Sequence, residues 1–405
     1  MTVRGRGRTR VVLLTGKGGV GKTTTAAGTA VLAGERGART LVLSTDAAHS
    51  LSDAFGVARG EATDEPVPVT ECVWIQQVDA QRRLEASWAS IQRYLRAVLD
   101  AAGADPITAE EITVLPGAEE VLALLALRDQ VVSGAWDLVV VDCAPTAETL
   151  RLLALPEALG WYLDRLATSG ARVARAVTPT LARAAGVPVP EPGVGEAARR
   201  LHADLSEVRT ILGAPESTVR LVLTPESVVV AEARRALTTL SLYGYRVDGV
   251  VANRVFPDSG DDPWRRRWAE TQRETLVEVA ASFAPLPVWE AAYASREPVG
   301  AAALADLARG TYGASDPVAV PDVPAAMEVV PRDDEVEVRL ALPFATGGDV
   351  GLTRHGSDLV VTVGSYRRVL ALPTMLSRHT VSGAHLDAGR LAVRFVAPAD
   401  GRGTW

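Results

Sequence analysis

The sequence predicts an α/β fold: a mostly parallel sheet with helical insertions, followed by a small β-sandwich. Three observations lead there. Short, wholly apolar runs alternate with helical patterns over the first three quarters of the chain. A glycine-rich loop separates the first such run from the first helix. Beyond residue 334 the hydrophobic period shortens to two, the period of strands with one face toward a core.

Residues 10–15 (RVVLLT) end at glycines and read as a buried strand, and an alanine-rich helix follows from Ala26 to Arg36. Residues 39–45 (RTLVLST) form the second strand, 137–142 (DLVVVD) the third, 219–224 (VRLVLT) the fourth and 247–252 (VDGVVA) the fifth. Runs apolar on both faces, with helices between them, suit a parallel sheet covered on two sides. Two helical stretches interrupt the alternation. One spans about 80–133, with Leu84, Trp88, Ile91, Leu95 and Val98 at helical spacing. The other spans about 156–212 and is split by a Pro/Gly-rich loop at 186–195. They read either as cover for the sheet or as an accessory surface that handles cargo.

Residues 1–312 are therefore expected to form one α/β domain. The stretch 313–334 (GASDPVAVPDVPAAMEVVPRDD) is rich in proline, acid and small residues and reads as a linker. Residues 335–398 read as the β-sandwich. Val336, Val338, Leu340, Leu342 and Phe344 alternate with more polar neighbours, as do Leu359, Val361 and Val363, then Leu391, Val393 and Phe395.

Composition narrows the function. A chain of 405 residues with 47% hydrophobic and 22% charged residues is globular. A net charge of −7 argues against general binding to nucleic acid or to anionic membrane. Two cysteines, Cys72 and Cys143, exclude a disulfide framework and a four-cysteine metal site within one chain. No apolar run approaches the ~18 residues of a spanning helix. The basic N-terminus carries too short an apolar stretch for a signal sequence, so a cytoplasmic protein is expected.

Of the 42 cationic lysine and arginine side chains, the only lysines are Lys17 and Lys22, both within residues 16–23. Gly16-Lys17-Gly18-Gly19-Val20-Gly21-Lys22-Thr23 matches G-x-x-x-x-G-K-[ST] between a predicted strand and a predicted helix. Glycines let backbone N–H groups converge on phosphate oxygens, and the helix that begins here presents its positive end to the same anion. Lys22 is a compact charge for the β- and γ-phosphates, a place a planar guanidinium does not fit. Thr23, with Thr24 beside it, offers a hydroxyl; that of Thr23 suits Mg²⁺. A nucleoside triphosphate and Mg²⁺ are the expected ligands of a P-loop NTPase fold.

Two further segments lie at carboxyl ends of predicted strands, the rim where such sheets bind ligands. One runs from Ser44-Thr45-Asp46-Ala47 to Phe55, the other from Asp142-Cys143-Ala144-Pro145 to Leu153. A carboxylate there can hold a metal's water ligands or orient an attacking water.

Together with KGGVGKTT, these segments resemble the ArsA family of deviant P-loop ATPases, which includes the arsenical-pump ATPases and the guided-entry ATPases that deliver tail-anchored membrane proteins. The resemblance covers about residues 9–312. It implies that the nucleotide is ATP, that Asp46 polarises the hydrolytic water, that Asp142 holds the Mg²⁺ shell, and that Lys17 reaches the phosphates of a partner subunit. Thr224-Pro225-Glu226 and Val251-Ala252-Asn253-Arg254 resemble later family segments. Glu226 would then contact nucleotide across a homodimer, and Asn253 would read the adenine, for which an amide has a donor and an acceptor.

The departures are specific. Ala47 replaces the family's proline, and Ala147-Glu148 replaces Gly-His. Two cysteines cannot supply the cysteine cluster that arsenite binding needs in the pump ATPases. The stretch 261–273 lacks the C-x-x-C of zinc-bridged targeting members. Met1, Met327 and Met375 lie outside the helical insertions, so no methionine-lined groove is available there for apolar cargo. Residues 364–373 and 389–395 resemble the small-heat-shock-protein (α-crystallin-like) sandwich appended to some bacterial ArsA-like ATPases, and the tail lacks an I-x-I assembly motif.

The resulting expectation is an ATP-hydrolysing homodimeric switch that binds and releases a protein cargo. It would not bind nucleic acid, and would meet a membrane only peripherally, through cargo or a receptor. A partition or positioning ATPase and a nucleotide-gated binding protein without turnover are the alternatives.

Overall fold

The computed structural model describes residues 8–45, 50–57, 65–78, 118–144, 146, 149, 153, 192–257, 262–322, 326–332, 335–356 and 358–397. Asp46, Ala47, His49, Pro145, Ala147, Glu148 and most of both helical insertions lie outside the described residues.

An eight-stranded sheet organises the first part, in the order β3-β4-β2-β5-β1-β6-β7-β8. Its strands are β1 (Arg10–Thr15), β2 (Thr40–Ser44), β3 (Val67–Pro68), β4 (Val73–Gln77), β5 (Leu138–Asp142), β6 (Ser217–Leu223), β7 (Val247–Val255) and β8 (Val288–Ala292). Only the short β3–β4 pair is antiparallel among them. Leu14 and Ser44 both pair with Asp142, and Thr15 pairs with Leu221, so the central strands end together at one rim.

The helices are α1 (Lys22–Glu35), α2 (Ser50–Phe55), α3 (Ala118–Val132), α4 (Pro192–Gly213), α5 (Ser227–Leu242), α6 (Pro263–Phe283) and α7 (Ala301–Tyr312). Alanines explain how closely α1 lies on the sheet. Ala26, Ala27, Ala30 and Ala33 are wholly buried, along with Val11, Val12 and Leu14 of β1. Gly28 faces α7, where a Cβ would stand 3.0 Å from the Leu304 carbonyl oxygen. Of the two insertions, the described parts are α3 and α4. The latter begins at Pro192, inside the stretch read as a loop, since proline is well suited to a helix start.

At the opposite end of the sheet, Asp248 is clasped by two arginines. Arg220 donates to it through Nε at 3.0 Å and Nη2 at 2.8 Å, and Arg10 through Nη2 at 3.0 Å. All three are nearly inaccessible to solvent. Burial opposes the charge on Arg220, but Tyr312 and Asp248 outweigh it and hold the guanidinium above its ordinary value. Burial lowers Arg10, with Asp248 opposing and Arg220 adding repulsion. The same guanidiniums donate to the carbonyls of Pro317 and Val318, so the first residues after α7 are fixed to the sheet.

The stretch read as linker also contains a strand. β9 (Met327–Arg332) pairs antiparallel with β10 (Glu335–Ala341). Pro331 and the acidic side chain of Glu328 are tolerated there because β9 is an edge strand and mostly exposed. The remaining strands are β11 (Val350–His355), β12 (Asp358–Val363), β13 (Tyr366–Ala371), β14 (Thr380–Asp387) and β15 (Arg390–Val396). They form two antiparallel sheets, β14-β15-β10-β9 and β11-β12-β13. Val336, Val338, Leu340, Leu342, Leu359, Val361, Leu391, Val393 and Phe395 fill the space between them, following the alternation in the sequence. Phe344 departs from it. With φ 66 it leaves the strand path, and it lies against α5 and α6 instead of the sandwich core.

Candidate functional site

The loop Gly16–Thr23 joins the carboxyl end of β1 to α1, and its shape requires its glycines. A Cβ on Gly16 would stand 2.0 Å from the Val222 carbonyl oxygen of β6. Gly21 has φ 92 and caps α1 without a capping side chain, which leaves the first-turn N–H groups to an external acceptor. Lys22 is buried and its Nζ donates to the Lys17 carbonyl at 3.3 Å, so the ammonium folds back over its own loop. Lys17 is half-buried, Gly18 and Gly19 are exposed, and Val20 is part of the core. Thr23 and Thr24 are half-buried.

Asn253 is brought to the loop by an irregularity in β7. Ala252 pairs with Glu290 and Val255 with Ala292, so β7 carries one extra residue here. Arg254 takes φ 58 at this point. The bulge aims Asn253 at the loop, where its Nδ2 donates to the Val20 carbonyl at 2.8 Å. Its Oδ1 accepts from the Arg254 N–H at 2.9 Å. Gln272 of α6 clasps the bulge, accepting from the Phe256 N–H at 2.7 Å and donating to the Arg254 carbonyl at 3.2 Å. A cavity of about 370 Å³ opens beside it, lined by Gly21, Thr24, Asn253, Arg254 and Tyr293 among others. That volume lies within the ~300–1,000 Å³ of small-molecule sites.

Two strand ends close the other side. The Thr45 N–H donates to the Asp142 carbonyl at 3.0 Å, and the Ala144 N–H donates to the Thr45 hydroxyl at 3.3 Å. The Thr146 N–H donates to the Gly16 carbonyl at 3.2 Å, which ties the Asp142 segment to the glycine loop. Asp142 is wholly buried. Burial pushes the Cys143 thiol far up, Asp142 adds to this, and Lys22 opposes it. Thr23 Oγ1 lies 3.2 Å from Ser50 Oγ at the start of α2. The buried hydroxyls of Thr15 and Thr146 have no hydrogen-bond partner among the described residues, a state that suits water or ligand oxygens.

The structure thus gathers Gly16, Lys17, Gly18, Gly19, Val20, Gly21, Lys22, Thr23, Thr24, Asp142 and Asn253 around one rim. Glu226 stands on the same rim, exposed, as the residue that precedes α5 at the end of β6. Asp46 lies outside the described residues, one position beyond Thr45. Sequence reasoning missed Thr45, Ser50, Thr146 and Gln272. They support the site through hydrogen bonds to backbone or hydroxyl groups. Thr45, Ser50 and Thr146 fall within the two strand-end segments, where nothing in the residue pattern singles them out, and Gln272 lies outside both. A larger cavity of about 730 Å³, lined by Arg8, Val131, Ile211, Glu216 and Ser217, contains none of the predicted site residues.

A glycine loop with a buried lysine at the carboxyl rim of a parallel sheet defines a P-loop nucleotide-binding protein. The particular family follows from comparison: residues 9–313 match the anion-transporting ATPases (ArsA), and residues 333–395 match the HSP20-like domain found in ArsA. The chain belongs to the ArsA family of ATPases. A protein of Chlorobaculum tepidum named "Putative arsenical pump-driving ATPase" is 36% identical over 372 residues, covering 91% of each chain. One of Aquifex aeolicus with the same name, numbered 1, is 30% identical over 375 residues, 91% of this chain and 95% of that one. An uncharacterized protein of Streptomyces coelicolor is 38% identical over 388 residues, 95% of this chain and 97% of the other. No helix among the described residues is long and apolar enough to cross a membrane.

Proposed function

We propose that this ATPase is a homodimeric switch in which hydrolysis of Mg²⁺-ATP drives binding and release of a protein cargo in the cytoplasm. The observation that carries it is the glycine loop locked from two sides, by Asn253 on Val20 and by Thr146 on Gly16, around the buried ammonium of Lys22.

The donor set fits the ligand. Lys22 and the first-turn N–H groups of α1 match phosphate oxygens, and the Thr23 hydroxyl and Asp142 carboxylate are the hard oxygen donors that Mg²⁺ takes. When bound, Mg²⁺ supplies neutralisation of phosphate charge. Asn253 uses one amide hydrogen on Val20 and one lone pair on Arg254, which leaves a second hydrogen and a second lone pair for an adenine edge in the adjoining cavity. Asp46, next to Thr45, is assigned to orient the attacking water. Lys17 and Glu226, both on the rim, are assigned to the nucleotide of the partner subunit.

Phosphate release with Mg²⁺ and ATP is the test, run beside Asp46→Asn and beside sedimentation with a non-hydrolysable analogue. The expected result is turnover in the wild type, loss of turnover with retained ATP binding in Asp46→Asn, and dimer formation with the analogue that Lys17→Arg weakens. Wild-type ATP binding without phosphate release would replace this reading with a nucleotide-gated binding protein.

A further inference from the structure

Helix α5 belongs to both halves of the molecule. Val229, Val230, Ala233, Ala236, Leu237 and Leu240 are buried in the core of the ATPase domain. Its last residue, Leu242, is wholly buried in the core of the β-sandwich instead. Arg368 of β13, itself buried, donates through Nη1 to the Leu242 carbonyl at 2.6 Å. A cation at a helix carboxyl end meets both an open carbonyl and the negative pole of the helix. Gly244 makes room for it, since a Cβ there would stand 3.1 Å from the guanidinium.

Further contacts follow the helix toward its start. The Thr238 hydroxyl donates to the Pro343 carbonyl of the sandwich. The Arg234 guanidinium lies 5.7 Å from the ring of Phe344, whose edge meets Phe283 of α6 at 5.8 Å. Phe344 holds φ 66 to make these contacts, a conformation that costs a non-glycine residue energy. The other end of α5 is Glu226, on the nucleotide rim, three residues beyond the end of β6. β6 in turn touches the glycine loop where the Val222 carbonyl fills the place of a Gly16 side chain. Sixteen residues of helix place these ends about 24 Å apart.

We propose that the β-sandwich regulates the nucleotide site in cis, with Arg368 as a positioning residue that sets α5 and, through it, Glu226 and the β6 wall of the glycine loop. A change in how the sandwich sits on α5 alters ATP affinity, and bound ATP by reciprocity alters the hold of Arg368 on Leu242. The inference rests on the ATPase reading above.

The experiment uses the full chain. Fluorescent-nucleotide titration, kcat and KM are measured for Arg368→Ala, Arg368→Lys and Thr238→Val. Amide hydrogen exchange over Ser227–Val230 is followed without nucleotide. Arg354→Ala is the control, because Arg354 holds the Ser377 carbonyl inside the sandwich and does not touch α5 among its hydrogen bonds. Arg368→Ala is expected to shift ATP affinity about 5-fold or more and to speed exchange in the first turn of α5. Arg368→Lys, which can still donate to Leu242, is expected to restore most of both. Thr238→Val reads the same coupling should Arg368→Ala fail to fold. Wild-type affinity and exchange in both Arg368→Ala and Thr238→Val would overturn the proposal, as would an equal shift in Arg354→Ala. A wild type that neither binds nor hydrolyses ATP defeats the ATPase reading instead, and the exchange data then decide the mechanical link alone.

Discussion

Asn253 Nδ2 donates to the Val20 carbonyl at 2.8 Å, so a residue of β7, two strands from β1, holds the centre of the glycine loop. The contact is specific to glycine at position 21, because a Cβ there would stand 2.2 Å from the same nitrogen. Replacing Asn253 by Asp turns a donor into an acceptor facing another acceptor, and adds negative charge near the phosphate site. We expect Asn253→Asp to weaken ATP binding more than Asn253→Ala, and Asn253→Ala by about 10-fold, equivalent to ~1.4 kcal/mol. Loss of one neutral hydrogen bond costs the fold only ~1 kcal/mol. Nucleotide titration beside thermal melts separates the two effects. Equal affinities in Asp and Ala variants would refute the donor role.

Gly16 makes a different demand. The atom that a side chain would meet is the Val222 backbone carbonyl, which cannot rotate away as a flexible side chain can. Gly16→Ala must therefore displace β6 or the loop, and is expected to abolish ATP binding while lowering stability. Gly213, at the end of α4, has nothing within 4 Å of the added methyl and normal φ. Gly213→Ala is expected to leave both properties unchanged, and the pair of variants checks that the loop's close approach, not glycine itself, matters.

The two cysteines should behave unlike each other. Cys143 is wholly buried beside Asp142, and burial raises its thiol far above the ordinary value, whereas Cys72 is partly exposed. Native protein at pH 8 is expected to react with one equivalent of a thiol reagent, at Cys72, and with a second only on unfolding. The stability consequence has a definite sign. A thiol raised in the folded state contributes stability that is complete below the unfolded value near ~8.5 and is lost as pH rises above it. Relative to Cys143→Ala, the wild type should thus lose stability between about pH 8.5 and 10. Rapid native modification of Cys143 would show that its surroundings open readily.

Much of this was legible in the chain because its central strands are apolar on both faces. β1, β2, β5, β6 and β7 fall where the runs placed them, within a few residues. The first turn of α1 was not, since Lys22, Thr23, Thr24 and Thr25 have no apolar period and fold as helix because the loop needs a helix start there. β4 ends in Gln76 and Gln77, both buried, so its polar end disguised a core strand. β8 is an edge strand with Glu290 exposed, and β9 carries a proline, so neither shows a strand's alternation. Phe344 continued the alternation but left the strand through a left-handed turn, which residue type alone does not signal. In the site, the loop residues announce themselves, being adjacent in sequence. Gln272 and the bulge at Asn253–Arg254 are invisible there, because the sequence records neither register nor which helix side chain reaches a distant backbone.

The buried clasp at the other end of the sheet yields the last prediction. Asp248 is shared by Arg10 and Arg220, and Thr218 also donates to it at 2.7 Å. Removing the carboxylate strands two buried guanidiniums, whereas removing either arginine leaves Asp248 with the other. Asp248→Ala is therefore expected to cost more than Arg220→Met, and breaking such a buried pair costs about 3–5 kcal/mol. Arg220 also stacks over Trp289 at 4.7 Å and donates to Tyr312 OH at 3.1 Å, so Arg220→Met should cost more than Arg10→Met. Tyr312 OH lies 2.8 Å from the Thr29 hydroxyl, and Thr29 in turn donates to the Thr25 carbonyl. Tyr312→Phe removes the hydroxyl, which leaves Thr29 its bond to Thr25 but takes an acceptor from Arg220 Nη1, so it is expected to cost about 1–3 kcal/mol, less than removal of either arginine. Denaturant titration of the four variants checks the order Asp248→Ala, Arg220→Met, Arg10→Met, Tyr312→Phe. If Arg220→Met proved as costly as Asp248→Ala, the second arginine would contribute nothing to holding the carboxylate.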